Sequence, residues 1–149
     1  MAHVRKSVRD NIVTAVTGLT TTAARVYRSR IYPLETATNL PGLCVYTLRE
    51  ASEADTVGGS AHGLAREVDI VIEAYVRGTA NYDNTLDTIC VEVEEAVAAD
   101  LTRGGNAKDT LLESTEFELS GEGDQPVAMA RLTYRCLYRT AADNVETAI

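Results

Sequence analysis

Apolar residues near the start of the chain fall at helical spacing: Val4, Val8, Ile12, Val16 and Leu19, with Ala15 in the same stripe. Arg5, Lys6, Arg9 and Asp10 fall mostly outside it. The pattern predicts an amphipathic helix that ends near Gly18, a residue suited to the position just past a helix end. Val26, Tyr27 and Ile31 predict a short strand closed by Pro33, and GLCVYTLRE (42–50) predicts a second. The clearest alternation is EVDIVIEAYVRG. There Val68, Ile70, Ile72, Ala74 and Val76 form an apolar face, and Asp69, Val71, Glu73, Tyr75 and Arg77 a mixed one. A sheet built on it is covered on one side and partly free on the other.

A second helix is predicted from Asp83 to the glycine pair Gly104–Gly105, with Leu86, Ile89, Cys90, Val93, Val97 and Leu101 inward and Asn81 or Asp83 as cap. LLESTEFEL, the turn SGEGDQP and VAMARLTYRCLYR then form a long hairpin. In its last strand Ala128, Ala130, Leu132, Tyr134, Cys136 and Tyr138 share a face, opposite Arg131 and Arg135. The order α-β-β-β-α-β-β gives an α+β fold, a two-layer sandwich with both helices on one face of a mixed or antiparallel sheet. Between the second and third strands, residues 50–66 read as a flexible loop of small, polar and glycine residues. Loops of that length in compact domains are functional or disordered. Residues 140–149 read as a tail without strong pattern.

Composition narrows the class. Residues 1–149 suit one domain with one core, and 45% hydrophobic and 24% charged residues are ordinary for a globular chain. The apolar runs are too broken to span a bilayer, and the N-terminus lacks the uninterrupted apolar core of a secretory signal, so an intracellular protein is expected. Cys44, Cys90 and Cys136 have no metal-ligand spacing and read as buried thiols. A net charge of −8 opposes general nucleic-acid binding, although it permits a passage along which DNA slides.

Catalytic chemistry finds little purchase. His62 sits in the glycine-containing loop, a poor mount for a general base. GGSAHG lacks the glycine spacing and lysine of a P-loop. The acids of the second helix read as a solvated face rather than as metal ligands. No catalytic, metal or cofactor residue is assigned. What remains is charge organisation: Arg25, Arg28 and Arg30 around the first strand, and Glu92 and Glu95 on the second helix. Such patches can set the register of a heterologous contact between copies.

The order and spacing of several segments resemble the tail terminator proteins of long-tailed phages, the family of the phage lambda tail terminator. They are RDNIVTAV, RVYRSRIYP, LPGLCVYTLRE, AREVDIVIEAYVRG, YDNTLDTICVEVEEAV and VAMARLTYRCLYR, with the P-x-x-x-V-Y element at Pro41–Tyr46 and ARLTYRCLY near the end. None of these is a catalytic signature. The resemblance implies an α/β sandwich subunit that forms a homo-hexameric ring, caps the tail tube, stops its polymerisation and offers a surface to the head–tail connector or a neck protein. The genome passes through such a ring without specific binding. The protein would be assembled in the host bacterial cytoplasm and reside in the virion, with no cofactor and no membrane partner. In that setting the 50–66 loop becomes a partner-contact arm, with Glu53, Asp55, His62 and Arg66 joining the charged residues above as candidate contacts. Another neck or head-closure component is the alternative within this class. A small ligand-binding regulatory domain, with a pocket on the half-polar sheet face, is the alternative outside it.

Overall fold

The computed structural model describes residues 2–28, 40–58, 61–78, 80–120 and 126–149. The chain runs α1 (Val4–Val16), β1 (Val26–Tyr27), β2 (Gly42–Ala54), β3 (Gly63–Arg77), α2 (Tyr82–Ala98), β4 (Asp109–Ser120), β5 (Val127–Ala141) and β6 (Asn144–Ala148). The fold is α+β. One open, mixed six-stranded sheet has the order β1-β2-β3-β5-β4, with β6 also on β5. β1 is parallel to β2, and the remaining pairs are antiparallel.

The two apolar stripes pack where their spacing requires. Val4, Val8, Ile12 and Val16 of α1, and Leu86, Ile89, Val93 and Val97 of α2, are buried against one sheet face. That face carries Val68, Ile70, Ile72, Ala74 and Val76 from β3 and Ala128, Ala130, Leu132, Tyr134, Cys136 and Tyr138 from β5. Burying each large aliphatic side chain is worth about 1.5–3 kcal/mol, so the layer contact dominates the stability. Gly18 follows α1 at φ +86°, a left-handed conformation that glycine adopts without strain. The three cysteines are free and buried, and burial pushes each thiol up to about 11. They therefore remain protonated and unreactive near neutrality.

Several expectations are corrected. The loop expected over 50–66 is mostly strand: β2 continues to Ala54 and β3 begins at Gly63, with Ala51 opposite Glu67 and Ala54 opposite Leu64. A bulge lies between Thr47 and Arg49, where Leu48 is the extra residue. It shifts the inside–outside parity from there on and hides the alternation. The expected tail contains β6, which pairs with the end of β5.

Helix α2 stops at Ala98 rather than at the glycine pair, leaving Leu101 44% exposed. The Asp100 carboxylate accepts from the backbone N–H of Thr102 at 3.0 Å and of Gly104 at 2.7 Å. Those donors are thereby withdrawn from helix continuation. Arg103 is fully covered and donates from Nη2 to the Val97 carbonyl, closing the helix end. Asn81 occupies the N-cap position, but its side chain makes no capping bond. Of the expected first strand, Val26 and Tyr27 are seen in β1, and residues 29–39 lie outside the described residues.

Candidate functional site

Arg66 shows how the sheet sorts the candidate residues. Its pairing opposite Ser52 and Tyr138 puts it on the helix-covered face, beneath the start of α1. There its Nε donates to Thr140 Oγ1 at 3.0 Å and its Nη1 to Glu50 Oε2 at 3.2 Å. The same carboxylate accepts from Arg5 Nη1 at 2.6 Å and from the Tyr138 hydroxyl. Both Glu50 and Arg66 keep only about a tenth of their side-chain area exposed. Arg66 is thus a buried member of a polar cluster that docks α1, and it is withdrawn from the set of outward contacts.

His3 closes this cluster at the helix end. Its Nδ1 accepts from the Arg5 N–H at 3.2 Å as N-cap, and its ring meets Tyr138 edge-on at 6.5 Å. Burial, aided by the Arg5 and Arg66 charges and opposed by Glu50, lowers its pKa below the usual histidine value of 6.5. A histidine depressed in the folded state binds fewer protons than in the unfolded chain. Its stabilisation is complete above pH 6.5 and is lost as pH falls through the folded value. Urea midpoints should begin to decline as pH falls below 6.5, before most carboxylates titrate. His3→Asn, which replaces the capping Nδ1 with a capping oxygen, should flatten that decline.

The tip of the β2–β3 hairpin holds three of the candidates. Ala51 to Gly58 are all exposed, including Glu53 and Asp55, and His62 is exposed as well. The tip is nevertheless tied down. Arg139 Nε donates to Asp55 Oδ2, Thr56 Oγ1 accepts from the Gly63 N–H at 2.7 Å, and the Asp55 N–H donates to the Gly63 carbonyl at 3.0 Å. The His62 carbonyl accepts from the Ala142 N–H at 2.8 Å. The Arg139 bond holds the Asp55 carboxyl below its ordinary pKa. A Cβ on Gly63 would stand 2.4 Å from Asp55 Oδ1, so a larger residue there would have to displace the Asp55 carboxylate.

The remaining candidates divide between internal and outward roles. Arg25 Nε donates to the Pro41 carbonyl at 2.6 Å and its Nη2 to the Thr21 carbonyl at 3.1 Å, fastening the segment after α1. Glu92 is also engaged internally: it accepts from the Thr21 N–H at 2.9 Å and the Thr21 hydroxyl at 2.5 Å. Arg28 is exposed and pairs with Asp10 at 2.7 Å. Glu95 is exposed on α2. Arg30 lies outside the described residues.

Opposite the helices, the sheet face carries a ladder of ions that the sequence reading missed. Glu73 Oε2 accepts from Arg131 Nε at 3.0 Å and Nη2 at 2.9 Å, and Glu73 Oε1 accepts from the Tyr75 hydroxyl at 3.2 Å. Arg131 also reaches Glu116 at 3.2 Å, and Arg135 reaches Glu113 at 2.6 Å and Asp69 at 3.5 Å. The signal was the acid–arginine match across β3 and β5, visible only once Glu73 is set opposite Arg131 and Asp69 opposite Arg135. An open pocket lined by Leu40, Pro41, Val76, Arg77 and Thr85 has a volume of about 190 Å³, below the roughly 300 Å³ at which small-molecule sites begin. Among the described residues no group of three or more His, Cys, Asp or Glu could hold a metal ion, and no helix is long and apolar enough to cross a membrane.

No protein-family model matches the sequence, and no curated protein matches it. Among solved structures, a chain of the virion of a native gene transfer agent particle is 16% identical over 91% of this chain and 92% of that chain, with a TM-score of 0.34. A score and an identity of that size establish neither a shared fold nor a shared role.

Proposed function

We propose that this protein is a structural component of a phage-like virion that acts as a tail terminator: a hexameric ring that caps the tail tube, halts its growth and presents its other face to a connector or neck protein. The observation that carries the reading is the β2–β3 hairpin tip. It is exposed from Ala51 to Gly58 yet clamped by Asp55–Arg139 and Thr56–Gly63. Ordering a mobile arm on binding would cost roughly 1–2 kcal/mol for each residue fixed. A preorganised arm avoids much of that cost, and six arms engaging one tube end together gain effective concentration. Glu53, Asp55 and His62 then lie where a tube contact would form, and no bond is made or broken.

Native mass spectrometry across concentration should show a sixfold mass, and electron-microscopy averages a ring. Replacing residues 56–62 with Asn-Gly should preserve that mass while abolishing capping of tube ends, seen as tubes of uncontrolled length. A lone subunit at every concentration, even with tube ends supplied, would remove the ring. Normal tail length with the shortened hairpin would remove the arm.

A further inference from the structure

Strand β4 presents an uncovered edge. It spans 12 residues and pairs with β5 on one side, and among the described residues no strand lies on its other side. Every residue from Leu111 to Leu119 is exposed, including Leu111 (45%), Leu112 (40%), Phe117 (56%) and Leu119 (51%). A register shift between Leu112 and Ser114 turns Phe117 and Leu119 toward the helix side, opposite Ala130 and Ala128. The helices do not extend over them, so the sheet projects one strand beyond its helical layer as an apolar shelf. Proteins protect long edges with charged side chains, above all lysine, with proline or bulges, or with a covering element. β4 has glutamates and one bulge but, among the described residues, no cover. Asp109–Ser120 contains no lysine, arginine or proline.

The charge along this edge is acidic, from Glu113, Glu116 and Glu118. The opposite side of the sheet, formed by β2 with α1 over it, is basic. Lys6, Arg28 and Arg49 have 55%, 58% and 63% of their side chains exposed. Lys6 and Arg28 share the one carboxylate of Asp10, so the pair keeps a net positive charge, and Leu48, next to Arg49 in the chain, is 52% exposed. The acidic, apolar edge of one subunit thus matches the basic side of another, with an apolar residue available on each. A contact between two different patches is heterologous and, when its rotation closes, generates a ring.

We infer that the occupant of the β4 shelf is a second copy of this chain, which docks its α1–β2 side there through Lys6, Arg28, Arg49 and Leu48. This names the lateral contact of the proposed ring and rests on that reading. The test uses two charge-reversed full-length variants, Glu116→Lys/Glu118→Lys and Lys6→Glu/Arg28→Glu. Each alone should raise the concentration needed for assembly by roughly tenfold or more. An equimolar mixture should restore the ring with alternating copies, because every junction then pairs opposite charges. Phe117→Ser, which alters no charge, should weaken assembly with an unchanged far-ultraviolet spectrum. If the reversed variants and Phe117→Ser assemble like wild type, the ring stands and this contact is wrong. If the mixture fails to assemble, the head-to-tail pairing is wrong. A wild-type chain that stays monomeric overturns both the ring and the contact.

Discussion

Replacing Glu50 with alanine is expected to lower the unfolding free energy by about 3–5 kcal/mol, read from urea denaturation at fixed protein concentration. Glu50 is the carboxylate against which Arg66 is buried, and it also accepts from Arg5 and Tyr138. Removing it leaves a guanidinium beneath α1 with Thr140 as its remaining hydrogen-bond partner among those seen. The cost is mainly that of an uncompensated buried charge rather than of the bonds lost. Glu50→Met combined with Arg66→Met should therefore recover most of the loss, since well-packed apolar replacements of buried pairs are near neutral. The double-mutant cycle reads the coupling directly. If Glu50→Ala alone costs less than about 1 kcal/mol, the cluster behaves as a surface pair and does not dock the helix.

That cluster also marks where the chain stops being readable without coordinates. The α1 stripe and the β3 alternation were legible because each has a single uninterrupted period, and Val4, Val8, Ile12, Ile70 and Ile72 are buried as that period requires. β2 was legible only as far as its bulge. Beyond Leu48 the parity changes, and EASEA has weak strand preference of its own; its extended form depends on backbone pairing with β3. The pattern alone therefore assigns Arg66 to the partner-contact arm, whereas the register places it opposite Tyr138 on the covered face. The end of α2 was hidden for a local reason, because Asp100 competes for backbone donors before the glycines are reached. LLESTEFEL was legible as strand, but its edge position depends on the strand order β3-β5-β4. Of the candidate contacts, the hairpin-tip residues, Arg28 and Glu95 hold outward positions, Arg66, Glu92 and Arg25 are engaged within the subunit, and Arg30 lies outside the described residues.

Arg131→Met is expected to destabilise the fold by about 3–5 kcal/mol, and Glu73→Met by only about 1 kcal/mol, although both break the same ion pair. The difference lies in what each change leaves behind. The Glu73 side chain is 1% exposed, whereas that of Arg131 is 24% exposed and also reaches Glu116. Without Arg131, a carboxylate remains in the sheet interior with the Tyr75 hydroxyl as its remaining donor among the bonds seen. Without Glu73, the guanidinium can turn toward water and Glu116, and a methionine fills the vacated space. Equal losses for the two variants would mean that the bond itself, rather than the stranded charge, carries the energy. Arg131→Met should also free Glu116, which lies on the strand assigned to the subunit contact. A mass measurement on the folded variant then separates two roles of one arginine: support of the sheet, and partial neutralisation of the acidic edge. Stronger assembly in Arg131→Met, despite lower stability, is the outcome that an electrostatic contact along β4 requires.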